Sequence, residues 1–124
     1  GYENIVNLLL DKGANIHDQN NYGNTALHWA VYKGHENVAK LLLEKGMNIH
    51  EKSKYGWTAL HMAAARGHEN VMTLLLDKGA NIYAKDDHGE TPLRFAVSYE
   101  KENIVELLLE TVCGQLPAHY YILG

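Results

Sequence analysis

Eight histidines are spread through 124 residues. Imidazole is the side chain most used to bind metals or to move protons near neutral pH. Their positions speak for a different role. The interval from His28 to His61 recurs from His35 to His68 and from His17 to His50. His28 follows Thr25 by three residues, so its ring can reach back to the Thr hydroxyl as in a capping box. No His-Glu-x-x-His, paired cysteines or acidic calcium loop occurs, and neither does a glycine-rich phosphate loop or a nucleophile elbow. The nearest polar cluster, Asp86-Asp87-His88, reads as a solvated turn. Cys113, the single cysteine, has no recognisable histidine partner and cannot form an internal disulfide. No catalytic residue, cofactor or metal is expected.

The elements that carry these residues follow from a repeat of fixed period. Gly23, Gly56 and Gly89 are evenly spaced. The same interval separates Thr25, Thr58 and Thr91, then Leu27, Leu60 and Leu93, then Ala30, Ala63 and Ala96. Residues 20–52 laid on residues 53–85 agree at 20 of 33 positions without a gap, far more than unrelated segments would. Each unit reads as two short helices and a connector. Thr25 is a good N-cap, Leu27, Ala30 and Val31 recur at helical spacing, and Gly34 suits the left-handed residue that ends a helix. A second helix from about Glu36 to Lys45 has its acid first and its base last, as the helix dipole favours. Val38, Leu41 and Leu42 form its apolar stripe, and Gly46 stops it. The pattern predicts helix pairs near 25–33 and 36–45, 58–66 and 69–78, and 91–99 and 102–110. Helices this short are marginal alone, and stacking lets each unit cover the next. Histidines one period apart are then one repeat rise apart, too far to share a metal.

Gly23-Asn24-Thr25-Ala26-Leu27-His28 and Gly56-Trp57-Thr58-Ala59-Leu60-His61 resemble the signature of ankyrin repeats. Gly89-Glu90-Thr91-Pro92-Leu93-Arg94 is similar, with the proline of the family present and its histidine replaced. Gly34-His35, Gly67-His68 and Leu74-Leu75-Leu76-Asp77-Lys78-Gly79-Ala80-Asn81 also match. The resemblance covers about three and a half repeats over residues 1–112: a partial unit at 1–19, units at 20–52, 53–85 and 86–112, and a non-repeat tail at 113–124. It implies an all-α solenoid of helix–turn–helix units with β-turn or hairpin-like connecting loops. It also implies that His28 and His61 tie neighbouring repeats through backbone bonds.

In this family partners are bound by the loop tips and the inner face of the first helix, which line a concave groove. The matching positions are Asn21, Tyr22, Asn24, Tyr32 and Lys33 in the second unit. In the third they are Lys54, Tyr55, Trp57, Ala65 and Arg66, and in the fourth Asp87, His88, Glu90, Ser98 and Tyr99. All but Ala65 and Ser98 are taken as partner-binding residues. Trp, Tyr and Arg at such variable slots are informative, because they dominate interface energetics. Trp57 is the one large apolar ring in its column, with Asn24 and Glu90. Either it fills a partner's pocket, or it lies on the adjacent loop against Tyr22 or Tyr55. Trp29 shares its slot with Met62 and Phe95 and is read as core. Lys52, Lys54 and Arg66 make the third unit basic, and Asp86, Asp87, Glu90 and Glu100 make the fourth acidic.

The resemblance implies a protein–protein interaction module with another protein as partner, not an enzyme. The alternative is a targeting or substrate-recruiting segment of a larger enzyme or F-box-like adaptor. A net charge of −4 argues against nucleic acid or an anionic membrane as partner. No apolar run approaches a membrane span. A cytoplasmic monomer is expected, and a chain that opens on Gly1 reads as a piece of a longer protein. The tail is apolar enough to fold back as a cap, while Leu116-Pro117 and Ile122-Leu123 faintly resemble the start of an F-box.

Overall fold

Residues 2–15 and 17–113 are described in the computed structural model. They form seven helices and no strand: α1 (Tyr2–Asp11), α2 (Ala26–Lys33), α3 (Glu36–Glu44), α4 (Ala59–Arg66), α5 (Glu69–Asp77), α6 (Pro92–Ser98) and α7 (Glu102–Cys113). The chain is thus an all-α repeat solenoid. The cap or F-box-like reading of the tail lies outside the described residues.

Two rows of helices make the stack. α2, α4 and α6 pack side by side as an inner row, and α1, α3, α5 and α7 as an outer row. Within a unit α2 lies on α3, α4 on α5 and α6 on α7. The core runs between the rows. Leu27, Ala30 and Val31 of α2 meet Val38, Ala39 and Leu42 of α3, and the same columns recur as Leu60 and Ala63 with Val71, Met72 and Leu75. Alanines at the facing slots let the inner helices approach closely, which is how helices of eight residues bury enough surface to persist.

The connectors repeat one backbone pattern three times. Gly23, Gly56 and Gly89 donate to the carbonyls of Asn20, Ser53 and Asp86, closing a β-turn. Asn20, Ser53 and Asp86 in return donate to the carbonyls of Asn24, Trp57 and Glu90. The turn is buttressed by the first residue's side chain: Asn20 Oδ1 accepts from Tyr22 and Asn24, Ser53 Oγ from Trp57, and Asp86 Oδ1 from His88 and Glu90. Successive tips are joined where Lys54 donates to the Tyr22 carbonyl and Asp87 to the Tyr55 carbonyl. Asp86 therefore differs from its sequence reading. It is 8 % exposed and anchors the turn, while only Asp87 and His88 face solvent.

Most helix ends fall within a residue or so of expectation, and Lys45 proves to be a C-cap rather than part of the last turn. α7 runs beyond Glu110 to Cys113. Its stop is missing because Val112 occupies the slot that Gly46 and Gly79 fill in the units before. The same kind of departure occurs between α6 and α7. Gly34 and Gly67 end α2 and α4 with φ of 75° and 73°. Their counterpart is Glu100, which holds φ at 57°. A side chain in this left-handed region costs roughly 1–2 kcal/mol. Glycine removes that strain but gains freedom in the unfolded chain. Glu100→Gly is expected to raise stability by about 0.5–1 kcal/mol, seen as a higher urea midpoint at unchanged m-value. Glu100→Ala, which keeps the Cβ, should show no such gain.

Candidate functional site

The capping boxes fix the inner helices in register. Thr25 Oγ1 accepts from His28 N, and His28 Nδ1 accepts from Thr25 N–H at 3.0 Å. Since Nδ1 is an acceptor it carries no proton, so Nε2–H must be the donor to the Trp57 carbonyl at 3.1 Å. His61 repeats this with Thr58 N–H at 3.1 Å and the Glu90 carbonyl at 2.8 Å. Each ring thereby joins its own helix start to the next unit's loop. Burial pushes both imidazoles below their ordinary pKa, against opposing effects from those carbonyls and from Glu51 or Asp86. Both are structural residues with no lone pair left to bind a metal. Among the described residues no group of three His, Cys, Asp or Glu could hold one. Likewise, no helix among them is long and apolar enough to cross a membrane.

Arg94 stands where the third histidine would be. Its backbone N–H keeps the bond to Thr91 Oγ1, but its guanidinium turns outward and pairs with Glu90 at 3.3 Å.

The inner row holds a cleft of about 440 Å³. Its floor is Met62, Ala65 and Phe95, and its walls are Tyr32, Trp57 and Tyr99. Asn24, Arg66 and Lys101 complete its rim. Of the residues singled out from sequence, Asn24, Tyr32, Trp57, Arg66 and Tyr99 are brought together here from three units. Asn21, Tyr22, Lys54, Tyr55, Asp87 and His88 are exposed along the loop tips instead, and Lys33 is exposed at the end of α2. Glu90 is occupied by Arg94 and, through its carbonyl, by His61.

Aromatic rings form a ladder along the cleft. Trp57 and Phe95 meet edge-on at 5.8 Å between centroids, and Phe95 meets Tyr99 at 6.3 Å. The guanidinium of Arg66 sits over the Tyr32 ring at 4.6 Å, a stacking that leaves its N–H edge for other partners. Asn24 Oδ1 is buried with no hydrogen-bond partner among the described residues.

Two sequence expectations are revised, and one residue that they passed over is added. Trp29 is 41 % exposed, its ring 5.1 Å from that of His35. In the column Trp29, Met62, Phe95, Met62 is covered by neighbours on both sides and Trp29 is less so. Met62 belongs to the core and Phe95 packs on that core, as the buried-slot reading has it, and only Trp29 departs. Trp57 does have a folding reason to be an indole: Nε1 donates to Asp86 Oδ2 at 3.2 Å, and the ring packs on Phe95 and on Tyr55, whose centroid is 5.3 Å away. The Asp86 carboxylate lies below the usual range. Desolvation pushes it up, but the N–H groups of Glu90, His88 and Trp57 outweigh that. Lys101, a groove residue that sequence reasoning passed over, stands in the slot of His35 and His68. Its Cδ lies where a Cβ on Gly67 would come within 3.0 Å.

Comparison with known proteins bears on residues 1–109. The family model for ankyrin repeats in many copies matches residues 1–43, 28–76 and 67–109. No curated protein matches the sequence.

Proposed function

The chain belongs to the ankyrin-repeat family, and from that premise we propose that it holds a partner protein in the concave groove of its inner helices and loop tips. Ankyrin repeats are in general protein–protein interaction modules and are typically non-catalytic. The observation that carries the groove reading is the cleft itself. Tyr32, Trp57, Arg66 and Tyr99 converge on it from three units. These are the residue types that supply most binding energy per side chain. The loop tips, with Tyr22, Tyr55, Asp87 and His88, extend the same surface. Trp57 and Arg66 centre it on the third unit, where a partner lying along the stack excludes water best.

Trp57→Ala is a poor probe, because it also breaks the bond to Asp86 and the contact with Phe95. Tyr32→Ala with Tyr99→Ala removes two exposed rings and no side-chain hydrogen bond among the described residues, giving up the edge contact of Tyr99 with Phe95 and the stacking of Arg66 on Tyr32. Immobilised on beads, this groove variant is expected to lose a partner that the parent captures from lysate, with affinity reduced about 30-fold or more, equivalent to about 2 kcal/mol. An outer-row variant, Lys40→Ala with Thr73→Ala, should capture it like the parent. Equal capture by the groove variant would overturn the reading.

A further inference from the structure

We propose that the cleft takes a short extended segment of the partner protein in which an apolar side chain is followed or preceded by an aspartate or glutamate. This rests on the groove reading and names the chemistry of its occupant.

The size of the cleft argues for a single anchor. At about 440 Å³ it falls in the lower part of the roughly 300–1,000 Å³ range of ligand pockets. It suits one or two inserted side chains better than a helix laid along it. One substitution within the period makes room in it. The slot that carries Tyr32 in the second unit carries Ala65 in the third, so a small apolar side chain lines the cleft where a ring would otherwise stand. Met62 and Phe95 also line the cleft, which makes an aliphatic or aromatic side chain its natural filler.

Charge argues for the neighbouring acid. The protein carries a net charge of −4, yet the lining side chains charged at neutral pH, Arg66 and Lys101, are both cations. Neither has a carboxylate within ion-pair distance among the described residues. Asp86, bonded to the indole of Trp57 on the cleft wall, is already engaged by three N–H donors. Stacking on Tyr32 holds the guanidinium of Arg66 flat, its donor edge matched to a carboxylate. Lys101, its stem beside Gly67, lines the same cleft. At physiological salt the acidic remainder of the surface is screened beyond about 8 Å, whereas these two cations act at contact. A basic segment would meet them unfavourably.

The test uses the full chain and fluorescein-labelled peptide pools. Each pool presents Leu, Met or Phe in a Gly-Ser frame, flanked by Glu, by Gln or by Lys, and binding is read by anisotropy. The Glu pool is expected to bind about tenfold tighter than the Gln pool, and to weaken as salt is raised. Arg66→Gln should remove most of that preference while leaving the melting temperature near the parent's. Ala65→Trp, which fills the floor, should abolish binding of every pool. Lys40→Gln, which removes a cation from α3, should change nothing. Equal binding of Glu and Gln pools, preference for Lys, no binding by any pool, or an equal effect of Lys40→Gln would each overturn the inference. So would tighter binding of a labelled oligo-deoxythymidine, which shares the stacking and cation chemistry. If the Glu pool fails while Tyr32→Ala with Tyr99→Ala still loses the captured protein, the occupant is wrong and the groove reading stands. If the Glu pool binds but that variant still captures its protein, the groove reading fails instead.

Discussion

His61→Ala is expected to cost about 4 kcal/mol and to be among the most damaging single changes in the chain. The ring is fully buried and touches three things at once. Its Nδ1 satisfies the Thr58 N–H, its Nε2–H satisfies the Glu90 carbonyl, and its edge packs on Phe95 at 4.9 Å between centroids. Alanine orphans the buried Thr58 N–H, worth roughly 1–3 kcal/mol, and strips the Glu90 carbonyl of one of its two donors, the Asp86 N–H remaining. It also leaves a cavity and weakens the helix cap. Urea unfolding with the exposed His50→Ala as control reads the effect. An unchanged midpoint for His61→Ala would remove the structural role assigned to the ring. Because the lost bond joins the third unit to the fourth, a reduced m-value is expected with it, as the stack begins to melt in parts.

The same geometry sets a pH dependence. Folding holds His28 and His61 neutral and lowers their pKa, first through desolvation, against the pull of the facing carbonyls and acids. Between the lowered folded value and the ordinary value of 6.5, the unfolded chain binds more protons than the folded one. Stability therefore rises with pH in that window. The contribution is complete above about pH 6.5 and is lost as pH falls toward the folded pKa. A proton on Nδ1 would also face the Thr N–H that it now accepts from. Glutamine at this position can still reach back to the cap but cannot titrate. In His28→Gln with His61→Gln the fall of melting temperature from about pH 7.5 to about pH 5 should accordingly be shallower than in the parent.

Much of this was legible from residue types at a fixed period. Thr25 and His28, or Thr58 and His61, are three apart, which is enough to place a cap and its ring. What the spacing could not convey is direction across units. The carbonyls of Trp57 and Glu90 that receive the imidazole protons belong to the loop of the following unit, and any residue type supplies a carbonyl. Asp86 was misread for a related reason. An Asp beside Asp and His looks like solvated turn composition, and only the folded turn brings the Trp57 indole N–H and the backbone N–H groups of His88 and Glu90 onto the carboxylate. Trp29 failed in the opposite sense. Its column is apolar in every unit, which is equally the pattern of a core slot and of a groove floor open to a ligand. Periodicity tells that a face is shared but not what covers it. Lys101 was passed over because it replaces a histidine at a position assigned to the scaffold, and its arrival at the cleft follows from the lie of its stem on Gly67. Where the period itself broke, at Glu100 and Val112, sequence and structure agree that something changes, and the backbone shows what: a strained αL residue and a longer last helix.

Gly56→Ala is expected to cost about 3 kcal/mol, and Gly89→Ala only about 1 kcal/mol, although the two glycines occupy the same place in their turns. Both hold positive φ, 79° and 77°, so a Cβ at either carries the left-handed penalty of roughly 1–2 kcal/mol. They differ in what stands in front of them. A Cβ on Gly56 would lie 2.8 Å from the Asp87 backbone nitrogen and 2.5 Å from its Oδ1. That nitrogen donates to the Tyr55 carbonyl at 3.0 Å, so the neighbouring loop cannot withdraw without losing the bond that joins the tips. The added methyl must therefore either compress the contact or break the junction, a strain of about 1–3 kcal/mol beyond the φ term. A Cβ on Gly89 would meet nothing within 4 Å. The contrast isolates close approach between units from turn geometry within one. Equal midpoints for the two alanine variants would mean that the tips separate freely in solution, and that the bond between Asp87 and Tyr55 contributes little. Circular dichroism should show the helices intact in both at low urea, since neither glycine lies within one. Asp87→Gly in the Gly56→Ala background removes the crowding carboxylate but keeps the backbone nitrogen. It should recover only part of the loss, because the close approach to that nitrogen remains.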